Sequence, residues 1–589
     1  MTAILGINDS HCATAALLVD GRILACVSEE RFTRKKNQAG YPKRSVEYCL
    51  RFLPGGTSGL DAVALAGREA LDPDWYERFL RDDAFMDRYL GVHDSGPFHG
   101  VSRKVRRLAH RVGLADAHRE KRSLSPETRV QGVCAHLEIP PQRVHFVEHH
   151  LCHAAAAYFA SPFNRESALV FTNDNAGDGV CASVNEAGPE GLRRLSASRS
   201  AEGSLGSFYS LVTSYLGMRQ LEHEYKVMGL APYAPEWGRR KSCAVFKEMM
   251  ELVEEKAPQF RWKVRGRRFR HLMEHLARHR FDWVAAGAQE FLEETLVAWV
   301  QLALRGETRV ALGGGVFMNV KANKRLSELP EVADLFAMPS CGDESNAIGA
   351  AYEHYHEGRL ASPADEKPPP IDPLGSLYLG PESSDEEVEN FCRQERLEQR
   401  YRIRLCEDIE TVAAEMLERD GVVARVAGRM EFGARALGNR SILADPRDVR
   451  LTHQINRMIK RRDFWLPFAP TILRERTEDY LENPKGLGSP HMMLTFDSRP
   501  LGQTALAAAI HPEDGTLRPQ ILDPGINPRL ERLIHAFQSR TGVGAVLNTS
   551  FNLSGEPIVN SPQDALDAFD RSHLPHLIVE NLLISKKDV

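Results

Sequence analysis

The chain has 589 residues, of which 42% are hydrophobic and 26% charged, and a formal net charge of -5, which is typical of a globular protein with two or three domains. The net charge excludes overall attraction to nucleic acid or to an anionic membrane, and we find neither a secretion leader nor an apolar run of membrane-spanning length. Its ten cysteines include no Cys-x-x-Cys pair, so neither a zinc ribbon nor a disulfide framework is indicated, and we expect a cytoplasmic protein.

The chain opens with three short apolar runs, at residues 3–7, 13–19 and 22–27, joined by a polar turn at 8–11 and by an Asp-Gly pair. An Asp-Gly pair between apolar runs is a strong hairpin signal. The order resembles, at the level of the fold, the opening of the actin and sugar-kinase superfold, although any antiparallel meander would look alike. The charged run that follows is either a solvated face or brings Lys36 to an acyl phosphate.

Residues 72–125 are charged, mostly helical in pattern and poor in strand signals. They have the character of an insertion on the first core, a place where a variable substrate is recognised.

The segment Glu148-His149-His150-Leu151-Cys152-His153 runs into four alanines, which favour helix. His149 and His153 would then project from one face and could chelate a divalent metal, with further ligands from elsewhere. Asp174, in a polar turn after the apolar run 168–171, and Asp343, in a turn beyond residue 339, are the candidates. The histidines could instead cap or pack. Metalloprotease chemistry is disfavoured, because His150 stands where that motif places its glutamate.

The basic stretch 261–280 predicts a solvated helical surface, with contact to a polyanion as the alternative. Beyond it, a strand at residues 308–312 is followed by Gly313, Gly314 and Gly315 and a helical pattern over 316–326. Three glycines between a strand and a helix leave backbone N–H groups free to face an anion. Neither a dinucleotide fingerprint nor a P-loop is present, so a nucleotide site here would be of the actin type.

Residues 361–373 contain five prolines and predict a stiff linker with a domain boundary near residue 368. Beyond it we predict a helix at 411–419 and a strand at 422–426. Several cations on Gly-rich turns suit a compact dianion such as a phosphate, whereas RNA would prefer interleaved aromatic residues. The polar set beyond the linker comprises Arg435, Lys460, Arg518, Asn548 and Ser550.

Taken together, these motifs resemble the O-carbamoyltransferase family of nodulation-factor and antibiotic biosynthesis, over nearly the whole chain and in a single order. The matching segments are Gly6-Ile7-Asn8 with Ser10-His11, His149-His150-Leu151 with His153-Ala154-Ala155, residues 224–231, Gly313-Gly314-Gly315-Val316, Gly342-Asp343, Phe432-Gly433 with residues 435–441, residues 467–470, and residues 547–552.

The resemblance implies an α/β protein with two domains. Residues 1–365 would form an actin and sugar-kinase-like (ASKHA) domain, and residues 374–589 an α/β domain of the threonylcarbamoyl-AMP synthase (YrdC-like) type. The family's chemistry has two stages: carbamoyl phosphate and ATP give carbamoyl-adenylate, phosphate and pyrophosphate, and the carbamoyl group then moves to a hydroxyl of a small-molecule acceptor. No nucleic-acid or membrane partner is implied.

The resemblance also implies roles for individual residues. Arg435, Arg518 and Ser550 would bind carbamoyl phosphate. Lys460, Asn548 and the three glycines would hold the nucleotide. The two histidines with Asp174 and Asp343 would hold a divalent ion, expected to be Fe(II). Lys36 would contact the carbamoyl-adenylate, Asp9 would orient the acceptor, and His11 would be the general base, which suits an imidazole because its ordinary pKa lies near neutral pH.

One position departs from the family pattern: Leu466 stands where some relatives carry a basic residue before Pro-Phe-Ala-Pro, and Arg461 or Arg462 could replace that basic residue.

Three other functions stay open on the sequence. A tRNA-modifying enzyme would transfer the carbamoyl-type group to RNA, a sugar-kinase-like phosphotransferase would release ADP without carbamoyl phosphate, and a metal-binding scaffold would turn over nothing.

Overall fold

The structure is a computed structural model that describes residues 1–81, 123–254, 258–306, 308–363 and 365–587. A first sheet is built from apolar runs buried on both faces, as parallel strands between helices are. The turn between its first two hairpin strands has positive φ at Asp20 (46°) and Gly21 (81°), as a two-residue hairpin requires. The predicted hairpin is confirmed. In the order β3-β2-β1-β4-β5, the strands are β1 Ala3–Asn8, β2 Thr14–Val19, β3 Arg22–Ser28, β4 Ala62–Ala66 and β5 Val144–Val147.

A second sheet repeats the arrangement of the first. Its order is β8-β7-β6-β9-β10, and in each sheet an antiparallel hairpin trio is extended by two strands parallel to its first member. This duplication is the architecture of the actin and sugar-kinase superfold, so the predicted fold class is confirmed. The strands are β6 Ala168–Gly177, β7 Val180–Gly188, β8 Gly191–Arg199, β9 Thr308–Gly313 and β10 Val332–Ala337.

Two helices fill the space between the sheets. The helix His149–Phe159, called the histidine helix below, is the one predicted; the Glu148 side chain caps it by accepting from the Leu151 N–H. Its alanines are fully buried and let the helix Asn346–Ala361 approach so closely that a Cβ on Gly349 would lie 1.9 Å from the Cys152 carbonyl oxygen. The alanines and Gly349 therefore let the two helices pack closely, and this packing fixes the position of the histidines between the sheets.

Three local predictions are corrected. Asp174 lies in a strand and not in a turn: β6 continues to Gly177, which pairs with Val180 after an irregular stretch beyond Asn173, and the chain reverses at Asp178 and Gly179. The helix after the three glycines starts as a 3₁₀ turn, Gly315–Met318, and continues as Val320–Ser327. The basic stretch begins in the strand Gln259–Trp262, paired with Met250–Val253, before its helix.

Among the remaining helices of this part, Lys43–Leu50 packs on β2 and β3, and Leu205–Tyr215 packs on β6. One two-residue strand pair joins Ala70–Leu71 to Ser123–Leu124. The predicted insertion at 72–125 falls largely outside the described residues, apart from one helix at its start and residues 123–125. The helices are Glu30–Thr33, Lys43–Leu50, Pro73–Arg81, Pro126–Leu137, Leu205–Tyr215, Glu224–Leu230, Glu236–Met249, Arg268–Leu276 and Phe281–Ala303.

The C-terminal part is organised on an eight-stranded mixed sheet with the order β11-β18-β17-β12-β13-β16-β14-β15. The predicted helix at 411–419 and strand at 422–426 are confirmed. The strands are β11 Tyr401–Leu405, β12 Val422–Val426, β13 Arg440–Ala444, β14 Ala469–Leu473, β15 Gln520–Leu522, β16 Ala545–Ser550, β17 His576–Val579 and β18 Leu582–Lys586. A small sheet adds Leu481–Glu482, Phe496–Ser498 and Thr516–Leu517; the helices are Asp385–Gln394, Ile409–Asp420, Arg450–Ile455, Thr477–Tyr480, Pro500–Ala505, Pro528–Thr541 and Pro562–Asp570.

Hydrogen bonds join the two parts of the chain at several places. Arg34 donates to the carbonyls of Pro557 and Ile558 (2.8 and 2.6 Å), and Arg31 to that of Gly433 (2.6 Å). Elsewhere, the Lys485 ammonium donates to the carbonyls of Ser327, Leu329 and Val332. The Pro-rich segment packs on the first part, where Tyr355 donates to the Pro369 carbonyl. The predicted domain limits stay a prediction.

Candidate active site

Four side chains from three elements meet between the two sheets: His149, His153, Asp174 and Asp343. Each offers one ligand atom, and these atoms all lie within 4.8 Å of one another. The two Nε2 atoms are 3.1 Å apart, and Asp343 Oδ1 lies 3.4 and 3.3 Å from those of His149 and His153. The structure therefore brings together all four residues proposed from the sequence.

The local fold explains why these two histidines converge. They are one helical turn apart, and the His149 ring lies over Gly177, where a Cβ would come within 2.1 Å of it. His150 points the other way and is satisfied in the core by Thr172 Oγ1 (2.8 Å) and the Val180 carbonyl (3.1 Å). One of the three histidines is thus a packing residue, and two are left to act as ligands.

The donor set fits a divalent metal ion. Imidazole nitrogens and carboxylate oxygens are ligands of first-row divalent metals, and Asp343 Oδ1 is buried without a hydrogen-bond partner among the described residues. Burial works against protonation of His153, yet the neighbouring carboxylates of Asp174 and Asp343 raise its pKa to about 9. The carboxylates that stabilise the protonated histidine would equally stabilise a metal cation, and the two would compete for the site. This group of four can therefore hold a metal.

His11 is tied to the same group through Asp343. Its Nδ1 lies 2.8 Å from Asp343 Oδ2, the oxygen next to the one that faces the histidine helix. Burial opposes the charge, but the Asp343 carboxylate raises the pKa of His11 well above its ordinary value. When the ring is neutral, its Nδ1–H is held by the carboxylate and Nε2 is the nitrogen that can accept a proton. Asp343 therefore orients His11 as well as closing the metal group.

A cavity of about 800 Å³ joins this group to the C-terminal part. Residues from both parts line it, so the two halves of the chain share one chamber. Of the residues proposed from the sequence, the cavity is lined by His11, Lys36, His149, Asp174, Gly315, Asp343, Arg435, Lys460, Arg518, Asn548 and Ser550.

The C-terminal wall of the cavity carries a cluster of cations with no acidic partner among the described residues: Arg435, Lys460, Arg462 and Arg518, called the cation cluster below. Burial, together with the neighbouring charges, lowers the pKa of Arg435 to about 10 and that of Arg518 well below its ordinary value. The Arg435 Nε atom is buried without a partner. Lys460 is buried and the three arginines are half-buried. Cations withdrawn from water without a partner are costly unless an anion neutralises them, so this wall is suited to bind an anion.

Lys460 reaches the cavity from a π-helical turn, Asn456–Lys460, a feature found mostly at functional sites. Its Nζ donates to Asn552 Oδ1 (2.7 Å) and Ser550 Oγ (3.0 Å). Burial, with Arg462 and Lys36 as the charged neighbours, holds the pKa of this ammonium well below its usual range. Across the cavity, no described residue pairs with Lys36.

The side chains of two neighbouring arginines point in different directions after this turn. Arg461 has a left-handed backbone (φ 46°) and an exposed side chain, whereas Arg462 lines the cavity and stacks over the Phe468 ring at 5.4 Å. Of the two candidates for the basic charge missing at Leu466, the structure brings Arg462 into the cavity.

Asn548 is fixed beside the cluster. Its Nδ2 donates to the Ala436 carbonyl (3.2 Å) and Thr471 Oγ1 (3.0 Å), while its Oδ1 is buried without a partner. The amide therefore keeps an acceptor for a ligand.

The three glycines after β9 each have a packing reason. A Cβ on Gly313 would lie 2.5 Å from the His153 carbonyl oxygen, and one on Gly314 (φ 97°) 2.4 Å from that of Asn173. Gly315 lines the cavity, but its N–H donates to Asp174 Oδ1 (3.1 Å). The glycines seat the metal-binding elements; their contact with a nucleotide stays a prediction.

Asp9 does not line the cavity. Its carboxylate forms a buried ion pair with Arg129, at 2.9 Å to Nε and 2.6 Å to Nη2, and Arg129 also donates to the Ala66 and Gly67 carbonyls. Asp9 thus braces the loop that carries His11, and a direct contact with an acceptor stays a prediction. Sequence reasoning missed Arg129, because 120 residues separate the partners.

Two further cavity residues carry no sequence signal. Glu344 is half-buried, and desolvation raises its pKa. Tyr76 is buried against the His11 ring, with centroids 5.7 Å apart. Neither belongs to a motif, since each gains its place from tertiary contacts alone.

No helix in the described part of the chain is long and apolar enough to cross a membrane. The family model "Carbamoyltransferase N-terminus" matches residues 3–352, and "Carbamoyltransferase C-terminus" matches residues 414–586. Nodulation protein NolNO of Sinorhizobium fredii is 32% identical over 98% of this chain and 79% of its own length. The 3'-hydroxymethylcephem-O-carbamoyltransferase of Amycolatopsis lactamdurans is 30% identical over 48% of this chain and 49% of its own length. Among solved structures, T. kodakarensis HypF aligns with 61% of this chain and 48% of its own, at 13% identity and a TM-score of 0.31.

Proposed function

This chain belongs to the carbamoyltransferase family, and we propose that it is a cytoplasmic, ATP-dependent O-carbamoyltransferase. In the first stage, carbamoyl phosphate, ATP and water give carbamoyl-adenylate, pyrophosphate and phosphate. In the second, a hydroxyl of a small-molecule acceptor attacks the carbamoyl carbon, AMP leaves, and a carbamate ester forms. One observation carries the proposal: a cation cluster without carboxylates and a His/Asp group share one cavity.

The cation cluster supports the first stage. Carbamoyl phosphate and the triphosphate of ATP are both polyanions, and buried guanidinium and ammonium groups neutralise them in a water-poor site. Arg435, Arg462 and Arg518 would bind the phosphate oxygens, Lys460 and Ser550 would position them, and Asn548 Oδ1 would accept from the nucleotide or the carbamoyl N–H. Because Lys36 lines the same cavity, the adenylate would meet it without leaving the protein.

The group around Asp343 supports the second stage. His11 would take the proton of the attacking hydroxyl on Nε2, and Asp343 would hold the ring and stabilise the imidazolium. His149, His153, Asp174 and Asp343 would hold the divalent ion, which we expect to be Fe(II) and which supplies charge stabilisation at the adenylate phosphate when bound. Proton transfer would then depend on His11, whereas the metal group would neutralise charge on the adenylate phosphate.

Product analysis tests the first stage and separates the rival functions. With ATP and carbamoyl phosphate we expect AMP, pyrophosphate and phosphate, and none of the three when carbamoyl phosphate is omitted. Release of ADP would refute the proposal in favour of a phosphotransferase. Transfer of label from carbamoyl phosphate to tRNA would favour a tRNA-modifying enzyme instead.

Synthetic carbamoyl-adenylate tests the division between the stages. Arg518→Ala should fail to form the adenylate but should transfer carbamoyl from the supplied intermediate. His11→Ala should form AMP from carbamoyl phosphate and ATP at the slow rate of adenylate hydrolysis, and should not use the supplied intermediate. Rescue of both variants, or of neither, would show that the residues do not divide in this way.

Elemental analysis tests the metal group. Purified His149→Ala and Asp343→Ala should carry no stoichiometric metal, because each variant loses one of four ligands. His150→Phe serves as the control, since both ring nitrogens of His150 already have partners in Thr172 Oγ1 and the Val180 carbonyl. Full occupancy in both ligand variants would place the metal elsewhere.

A further inference from the structure

A further side chain, that of Asn346, reaches the group formed by His149, His153, Asp174 and Asp343. Its Nδ2 atom lies 3.3 Å from His153 Nε2. The same ring nitrogen lies 3.1 Å from His149 Nε2 and 3.3 Å from Asp343 Oδ1. Asn346 is fully buried. An amide therefore lies beside the ring atom that His153 turns toward the other members of the group.

Helix packing sets the position of this amide. Asn346 is the first residue of the helix Asn346–Ala361 and follows Asp343 by three positions. Gly349, on the next turn of the same helix, packs so closely on the histidine helix that a Cβ there would lie 1.9 Å from the Cys152 carbonyl oxygen. Cys152 immediately precedes His153 in the chain. The contact between the two helices thus fixes the amide relative to the imidazole.

The Asn346 side chain has an unused oxygen. Its Oδ1 is buried without a hydrogen-bond partner among the described residues, and a polar atom buried in this way is costly. Its Nδ2 faces an imidazole nitrogen whose lone pair a bound metal ion would take, so that this hydrogen bond is lost when the ion binds. A half-turn about the last side-chain bond exchanges the amide nitrogen and oxygen without moving any other atom. The oxygen then faces the metal group.

We infer that Asn346 is a further ligand of the metal group and binds the divalent ion through its side-chain oxygen. The inference rests on the proposed function, of which the metal group is a part. Two imidazoles and two carboxylates already balance the charge of a divalent cation, so a neutral oxygen adds a bond without adding charge. Five protein ligands leave one of the six positions of an octahedral ion for a phosphate oxygen of the substrate. Zinc, which favours four ligands, suits such a set less well.

Binding of Co(II) to the purified full chain tests the inference, because the visible absorption of Co(II) strengthens as its number of ligands falls. Asn346→Leu nearly keeps the shape of the side chain, offers no donor atom and leaves little room for a water molecule. We expect it to strengthen the visible absorption of bound Co(II) and to lower the affinity about tenfold or more, measured by competition with a chromogenic chelator.

Asn346→Asp separates an oxygen ligand from an N–H donor. The aspartate keeps an oxygen and loses the amide N–H groups, so we expect the wild-type spectrum and an affinity at least as high. If the side chain served only as a donor to His153, the aspartate would lose as much affinity as the leucine. This variant decides the question by itself if the leucine variant does not fold, since loss of Co(II) binding there contradicts an oxygen ligand.

Asn323→Leu is the matched control. That side chain is also fully buried, and its Oδ1 has no partner in the described part of the chain. Its Nδ2 donates to the carbonyls of Phe317 (2.8 Å) and Met493 (2.9 Å), and the residue does not line the cavity, so the spectrum of bound Co(II) should not change. An unchanged spectrum in Asn346→Leu, or a wild type that binds no Co(II), would overturn the inference.

AMP formation from carbamoyl phosphate and ATP, measured on the same samples, tests the proposed function separately. A protein that binds Co(II) through Asn346 yet forms no AMP contradicts the function and leaves the ligand assignment intact. A protein that forms AMP, but whose Co(II) spectrum and affinity are the same in Asn346→Leu as in the wild type, contradicts the ligand and leaves the function intact.

Discussion

The metal group and the cation cluster face the same cavity but are balanced in opposite ways. In the first, two imidazoles lie within 3.7 Å of two carboxylates, so opposite charges compensate each other inside the protein. In the second, no carboxylate among the described residues pairs with Lys460, which is buried, or with the half-buried Arg435, Arg462 and Arg518. The difference shows which part of the site depends on its ligand: the cation cluster is destabilising until an anion arrives, whereas the metal group is already compensated.

The largest expected effect comes from removing a member of the cation cluster. Arg518→Ala should lower carbamoyl-dependent AMP formation about 10³-fold or more, because a developing phosphate charge loses a buried donor. The same change should not destabilise the protein without ligand, since it removes repulsion from Arg435 and Arg462.

Steady-state AMP formation and thermal unfolding of the same samples measure both halves of this prediction. Pyrophosphate should raise the melting temperature of the wild type more than that of the variant. A variant that melts lower than the wild type without ligand would show that Arg518 is a structural residue.

The next largest effect should distinguish two adjacent arginines, only one of which lines the cavity. Arg462→Ala should lower AMP formation about 10²-fold, because this guanidinium lines the cavity. Arg461→Ala, its exposed neighbour, should stay within about twofold, as surface changes usually do. Equal losses would mean that the chain after the π-helical turn places both arginines at the phosphate.

The comparison also shows what a sequence can reveal. The two metal-binding histidines can be predicted because their spacing is local: His149 and His153 lie on one helix, and the alanines that follow them predict that helix. Asp174 is placed in the wrong element by sequence reasoning, since the length of β6 depends on its pairing with β7. Arg462 cannot be told from Arg461 by pattern, because a single left-handed residue separates their directions. The position of Tyr76 beside His11 cannot be predicted either, because 65 positions separate the two residues in the chain.

A smaller effect is expected where packing positions a ligand. Gly177→Ala would place a methyl group in the space of the His149 ring, so the ring must rotate or the strand must shift. Metal affinity should fall roughly 10- to 100-fold, as when groups that orient a ligand are lost. Competition with a chromogenic chelator measures this. Gly179→Ala is the control, since a Cβ there meets nothing within 4 Å, although its φ of 80° adds strain. Unchanged affinity in Gly177→Ala would show that the ring position is not what selects the metal.

The smallest effect is a pH dependence of stability that the cation cluster should show. The pKa of Lys460 is lowered in the folded protein by burial, with Arg462 and Lys36 as the charged groups that face it, while Ser550 and Asn552 are its neutral partners. Between the lowered folded pKa and the unfolded value near 10.4, the unfolded chain binds more protons than the folded one. The free energy of unfolding should therefore rise with pH across that window and level off above it.

Lys460→Met removes this proton without removing the side-chain volume, so its unfolding free energy should rise less steeply over the same window. Urea unfolding at low ionic strength, from pH 7 to pH 10, measures the two slopes. Lys35→Met, at an exposed position next to Lys36 in the chain, is the control and should keep the wild-type slope. The comparison depends on the slopes and not on the absolute stabilities, because the methionine also loses the hydrogen bonds to Ser550 and Asn552. Parallel curves for the wild type and Lys460→Met would mean that the ammonium is already neutralised within the fold, and the cation cluster would then need no anion.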